Sequence, residues 1–454
     1  MKAFSLYKET RHPFIDQIPK HWNETLFCHF ARSKSVQNNN GEELLSVFLN
    51  KGVVRYSDTS QKQVHKPSED MSKYQLVEPR DLVMNNQQAW RGSVGVSRFR
   101  GIVSPAYLVF TLSDTENAEY LNYAIRDSAT VSQFVLASKG VGSIQRNISP
   151  QMLKSAVIPL PPRDEQDQIV RFLDWKVSEV NHFIREKRRE IKRFIELKQS
   201  IIYHAVTFGL TPDIPMKKSE LSPWVEKLPI TWDEVKIKRI LTKLNRSCKV
   251  DDEILICSNK GTVFHRGESR LGLISSKEDV YQGVAEGDLL IHGMDTWHGA
   301  IAISEFNGKC TTVVHVCDST QDKRFVSYYL RMLAFRKLYK AITNGVRQNT
   351  SDFRSWSKAG DIIIALPPLD EQHAIADYID ARCDETDEMI ITIKSEIALI
   401  TEYRTRLISD VVTGKVDVRD VVIPDFTAEK IIEENIDTDE EETPDEEVEE
   451  NADD

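Results

Sequence analysis

Two stretches of this chain space their apolar residues as a helix does. In one, Val177, Val180, Ile184, Ile191, Phe194 and Ile201 recur at three- and four-residue steps and their multiples. In the other, Ile390, Ile393, Ile397, Ile400 and Leu407 do so. Both patterns predict long helices with a narrow apolar seam. Each follows a Pro-Pro pair, Pro161-Pro162 or Pro367-Pro368. Proline is tolerated just before a helix but not inside one. Asp164-Glu165 and Asp370-Glu371 then put carboxylates in the first turn, where the helix dipole favours them. A basic residue, Lys198 or Arg404, interrupts each seam at the same level. A helix of about 40 residues is about 60 Å long. A seam this narrow calls for a partner helix, so the two are expected to pack on each other, antiparallel. The basic run Arg185-Glu186-Lys187-Arg188-Arg189 is expected on a solvated face.

Outside these stretches the pattern is mixed. Ser104 to Phe110 and Cys310 to Val316 read as strands. Glu119 to Leu136 and Phe325 to Ile342 read as helices. The expected fold is therefore α/β heads plus long helices.

The same order of features occurs twice. Pro161-Pro162-Arg163-Asp164-Glu165-Gln166 returns as Pro367-Pro368-Leu369-Asp370-Glu371-Gln372. Asp81-Leu82-Val83-Met84 returns as Asp288-Leu289-Leu290-Ile291. Trp90, Gly92, Phe99 and Gly101 fall on Trp297, Gly299, Phe306 and Gly308, and Ile18-Pro19-Lys20-His21-Trp22 on Leu228-Pro229-Ile230-Thr231-Trp232. The copies run from about 13 to 212 and from about 223 to 424. Residues 1–12 match the linker, so the repeat begins out of phase and a pseudo-two-fold arrangement is expected.

The net charge of −11, taken over the whole chain, argues against a nucleic-acid partner. Residues 425–454 alone carry −15, which leaves a mildly basic +4 for residues 1–424. That acidic segment is expected to be a disordered tail. The first residues are polar and no membrane-length apolar run follows, so no signal peptide and no membrane partner are expected. The six scattered cysteines fit a reduced, cytoplasmic protein.

Two loops in each head carry candidate chemistry. The first holds Asn85, Asn86, Gln87, Gln88 and Arg91, and in the second copy His292, Thr296 and His298. The other holds Lys139, Ser143, Gln145, Arg146 and Asn147, and in the second copy Arg347, Gln348 and Asn349. Asn and Gln can pair with adenine edges and Arg with guanine, while nearby glycines let a backbone approach phosphate. Catalytic motifs are missing. The sequence has no GxxxxGK[ST], HExxH, GxSxG or GxGxxG. His292, His298, Cys310, His315 and Cys317 are ligand types, but their spacing is irregular and the first copy lacks counterparts, so no metal is expected.

The repeated Pro-Pro and Asp-Glu-Gln elements, the two head openings ending in Trp22 and Trp232, and the helix ends Ala205-Val206-Thr207 and Val411-Val412-Thr413-Gly414-Lys415 carry a family resemblance. Over residues 1–424 the chain resembles the specificity subunits of type I restriction-modification systems. The resemblance implies two internally repeated target-recognition domains separated by an antiparallel coiled-coil pair. Each domain would read one half of a split, asymmetric DNA target, with helix length setting the gap. It implies a non-catalytic subunit with double-stranded DNA, two adenine methyltransferase subunits and, where present, two restriction/translocase subunits as partners. No cofactor is expected on this chain; S-adenosylmethionine, ATP and Mg would belong to the partner subunits. The expected boundaries are 1–160 and 224–366 for the recognition domains, 161–208 and 367–412 for the helices, 209–223 for a linker, 413–424 for a closing segment and 425–454 for the tail. A stand-alone DNA-binding regulator on the same scaffold would bind tightly with no partner. An enzyme with an unrecognised nuclease or methyltransferase site would be active as the purified chain.

Overall fold

The computed structural model describes residues 2–37, 41–49, 51–58, 68, 70–141, 145–221, 223–267, 280–342 and 353–426. The expected acidic tail lies outside these, save its first two residues. The long helices span Arg163–Phe208 and Leu369–Val412. Both start two residues later than the expected 161 and 367, because both prolines of each pair stay outside the helix.

The first turn of each long helix grips its head. Glu165 Oε1 accepts from the indole N–H of the fully buried Trp22 at 2.8 Å, and its other oxygen lies 2.7 Å from His21 Nε2. Glu371 likewise accepts from Trp232 Nε1 at 3.1 Å. The next residue ties the helix start to the head's own helices. Gln166 Nε2 donates to Pro161 O, and Gln166 Oε1 accepts from Asn117 N at 2.8 Å. Gln372 does the same with Pro367 O and with Asp322 N at 3.1 Å. Asn117 and Asp322 are N-caps. Lys8 and Lys217 each donate to the carbonyl of the following Trp22 or Trp232. Buried polar groups thus satisfy one another at the helix N-terminus, where they would otherwise cost ~1–3 kcal/mol each.

Each head is built on a four-stranded antiparallel sheet. The order is Ala31–Lys34, Tyr107–Leu112, Asp81–Asn85, Val94–Val96 in the first head. It is Leu241–Lys243, Val314–Ser319, Leu289–His292, Ile301–Ile303 in the second. The strand after each opening tryptophan pairs with the strand before each Pro-Pro: Asn23–Leu26 with Val157–Leu160, and Asp233–Lys236 with Ile363–Leu366. Several expected elements are corrected. The helix expected over 119–136 is two, Ala118–Arg126 and Ser128–Leu136. Asp127 leaves helical geometry at ψ 143° between them, and its side chain caps the second. The helix expected over 325–342 is Lys323–Phe335 and Leu338–Ile342, separated at Lys337, which has φ 62°. The strand expected over 104–110 shifts to Tyr107–Leu112, and that over 310–316 divides into Gly308–Thr311 and Val314–Ser319.

The described chain divides into two compact units, residues 2–187 with 395–426 and residues 188–394. Neither long helix is a domain of its own. In the first unit, Ile169, Phe172 and Leu173 of the first long helix share a core with Leu407 and Val411 of the second and with Trp22 and Tyr120. In the second unit, Ile202, Ala205 and Val206 pack with Ile375, Ile379, Cys383, Trp232 and Phe325. The expected linker and closing segment are folded parts of these units. Met216–Lys218 pairs with Lys227–Pro229, and Lys2 bridges to Asp417.

The helices run antiparallel within the first unit. Asn181 accepts from Arg404 at 2.6 Å and Lys187 meets Glu396 at 2.8 Å, so one number rises as the other falls. In the second unit Lys198 reaches both oxygens of Asp387 at 2.7 Å. The two basic seam breaks therefore face polar partners. Val180, Ile184, Ile191, Ile390, Ile393 and Leu407 are buried as expected of seam residues. Val177, Phe194, Ile201, Ile397 and Ile400 are half-buried. Near the end of the first long helix, Ile202, at 3% exposure, replaces Ile201 as the buried residue.

Replacing Glu371 by Ala leaves the buried Trp232 N–H without its acceptor, and the expected loss is ~1–3 kcal/mol in urea unfolding. In a Trp232→Phe background the same change should cost measurably less. Equal losses in the two backgrounds would show that the hydrogen bond does not couple helix to head.

Candidate nucleic-acid interface

In the first head the strand Asp81–Asn85 runs out into a tight turn. Asn85 Oδ1 accepts from Gln87 N at 3.0 Å, and Ala89–Arg91 forms a single 3₁₀ turn. Gly92, at φ 104°, closes it. A side chain would strain the backbone there. Trp90 is pinned by donation from its indole to Gln87 O at 2.8 Å. The second expected loop is a hairpin, Ser138–Val141 paired with Gln145–Ile148. Asn86 joins it to the first loop, accepting from Ile148 N through Oδ1 at 2.9 Å.

Two cations gather on Trp90. The guanidiniums of Arg91 and Arg146 lie 5.5 and 5.8 Å from its ring centre, within cation–π range. Gln87, Arg91, Lys139 and Asn147 are exposed. Asn85, Asn86, Gln88 and Arg146 are half-buried, and the two asparagines are engaged in shaping the turns. Ser143 lies outside the described residues, and Gln145 is described only through its backbone pairing with Val141.

The second head repeats the turn with different side chains. Thr296–His298 is the 3₁₀ turn and Gly299, at φ 86°, closes it. Exposed His298 stacks on Trp297, with ring centres 6.0 Å apart and planes at 19°. Lys340 Nζ is 5.3 Å from the same indole. Two expected contacts are corrected to scaffold. His292 is buried, and its Nδ1 accepts from Met294 N and Asp295 N at 3.3 and 3.0 Å. Burial pushes its pKa below the usual histidine value, so the ring accepts these amides in its neutral form. Thr296 is fully buried and donates to His292 O. Both are consumed in building the turn that presents His298. Arg347, Gln348 and Asn349 lie outside the described residues.

Among the described residues, no three His, Cys, Asp or Glu side chains gather as a metal-ligand set. Cys310 and Cys317 are buried thiols that burial pushes up to about 12. His315 sits in the core with Nε2 2.6 Å from Phe353 O. No described helix is long and apolar enough to cross a membrane.

One further repeated segment escapes the hydrophobic pattern. Asn50-Lys51-Gly52 in the first head returns as Asn259-Lys260-Gly261 in the second. In the second head Asn259 O lies 3.7 Å from where a Cβ on Gly299 would sit. A comparison of the two copies at an offset of 209 would have found it.

Changing buried His292 to Ala should lower the stability of the second unit by ~1–3 kcal/mol in urea unfolding, since two backbone donors lose their acceptor. Exposed His298→Ala should stay within ~0.5 kcal/mol of the unmodified chain. A reversed order would exclude the scaffold role given to His292.

No family model matches the chain. It is similar to the putative type I restriction enzyme MjaX specificity subunit of Methanocaldococcus jannaschii. The two are 26% identical over 321 residues, which is 66% of this chain and 68% of that protein. It is also similar to the type I restriction enzyme MjaVIII specificity subunit of the same organism, at 22% identity over 383 residues, covering 77% and 84% of the two chains. Among solved structures, one from a study of complex assembly and conformational transition of the type I R-M system shares the fold. Its TM-score is 0.62 at 12% identity, over 88% of this chain and 99% of that one. In sequence the chain is similar to specificity subunits of type I restriction enzymes, and its fold is that of a chain from a type I R-M system.

Proposed function

We propose that this chain is the sequence-reading subunit of a type I restriction-modification complex, with each head taking one half of a split duplex DNA target. The observation that carries this is the Trp-Gly turn. The same buried frame is built twice, yet it presents Gln87 and Arg91 beside Arg146 in one head and His298 beside Lys340 in the other. Two heads that read different bases need a common frame with different side chains at the groove. Exposed Lys139 and Asn147, opposite each other in the adjoining hairpin, extend that surface in the first head.

The chemistry would lie elsewhere in the complex. Two adenine methyltransferase subunits using S-adenosylmethionine, and restriction/translocase subunits using ATP and Mg, would dock on this scaffold. No observation favours a stand-alone regulator.

Exchanging residues 13–160 for the head of another such chain should change one half-site and leave the other. Selection from a randomised duplex library in the presence of the methyltransferase subunits reads this out, and a change in both halves would sink the assignment. Inserting seven residues into each long helix adds about 10 Å, or roughly three base pairs at ~3.4 Å each. The gap between half-sites should lengthen accordingly; an unchanged gap would remove the helices as the ruler.

A further inference from the structure

Gly52 and Gly261, each preceded by a lysine, lie against an arginine of their own head. Gly52 (φ 72°) and Gly261 (φ 77°) end their turns in the left-handed region. Each glycine lies over the arginine nine residues beyond the N-cap of its head helix, Arg126 after Asn117 and Arg331 after Asp322. A Cβ on Gly52 would come 3.4 Å from Arg126 Nη1. One on Gly261 would come 2.2 Å from the Arg331 guanidinium carbon, so a side chain there would displace that head as well as strain the backbone. Arg331 Nη2 donates to Lys260 O at 2.7 Å. The Arg331 Nε is buried without a hydrogen-bond partner, and no carboxylate is paired with this guanidinium among the described residues. The turn in the second head is tight, with Gly261 N donating to Ser258 O at 3.0 Å, and Lys260 is exposed at its tip. In the first head Lys51 is half-buried.

We infer that these two turns are phosphate anchors, one per head, in which Lys51 and Lys260 hold the DNA backbone while the neighbouring Trp-Gly turn meets the bases. The inference deepens the proposed function and rests on it. Two heads that read different bases have one requirement in common, the sugar-phosphate backbone, and the contacts that meet it carry no sequence information. A feature kept in both copies suits that requirement, just as the differing side chains of the Trp turn suit base reading. In each turn the glycine that lies over the arginine directly follows the lysine, and in the second head the arginine also holds the Lys260 carbonyl. The second-head turn adjoins the Trp297 turn through Asn259. An anchor there would fix how that head sits over its half-site.

The test uses the full chain with its methyltransferase subunits and a random-sequence duplex of about 30 base pairs, titrated over a salt series. Lys51→Ala and Lys260→Ala should each reduce the slope of log affinity against log salt by about 0.9, and the double variant by about twice that. Affinity should fall by the same factor on every sequence, and the half-site preference from library selection should be unchanged. Lys→Arg at either position should keep the slope. Thermal melting of each variant serves as the control for folding.

An unchanged slope in both single variants would overturn the anchors. So would a shifted preference in one half-site, which would make the lysine a base reader. If the unmodified complex selects a split target while the lysine variants behave like it, the anchors fail and the proposed function stands. If the unmodified complex selects no sequence, the proposed function fails with them.

Discussion

A buried tryptophan bound to a glutamate in the first turn of a long helix is the constraint on which each unit rests. Trp22 with buried Glu165, and Trp232 with half-buried Glu371, join a large buried apolar ring to a carboxylate. The ring supplies apolar burial, and its N–H satisfies a carboxylate oxygen that would otherwise be costly to bury. The neighbouring glutamine then fixes the cap of the head helix to the same turn. Head, head helix and long helix are therefore set against one another at a single point. The Trp-Gly turn, on a sheet anchored to that frame, inherits a defined position.

Much of this was legible because the chain states it twice. The Asp-Glu-Gln element, the opening tryptophans and the paired glycines stood out as repeats before any contact was known, and each proves to answer a local physical need. Gly92 and Gly299 close turns that require positive φ. What pattern could not give was where helices break. Asp127 sits inside an apparently continuous helical stretch, and it is its side-chain capping of Ala129 N that ends one helix and starts the next.

The candidate site was less legible than the fold. Residue type alone cannot separate a polar side chain that shapes a turn from one that faces a partner. Asn86 and His292 have the chemistry of base readers, yet Asn86 accepts a backbone amide of the adjoining hairpin and His292 accepts two of its own loop. Arg91, Gln87 and His298 differ from them in exposure, which depends on the whole head rather than on neighbours in sequence. The anchoring lysines were missed for the opposite reason. Their turns look like ordinary polar loops until the arginine beneath each is seen, and that arginine lies about seventy residues away in sequence.

The polar pairs along the long helices bear on which chain a helix can choose as its partner. Residues 185–198 of the first helix carry seven Lys and Arg against three Asp and Glu, while residues 377–396 of the second carry seven Asp and Glu against two Lys and Arg. The pairs of Lys187 with Glu396 and Lys198 with Asp387 follow from that division. A duplicated protein with identical halves could pair a helix equally well with the matching helix of another molecule. At the 206-residue offset between the copies, a first helix paired with another first helix would set Lys198 against Asn181, the counterpart of Asp387, and lose that ion pair. The Lys198–Asp387 pair thus belongs to the pairing of unlike halves, and the two copies differ where their helices meet.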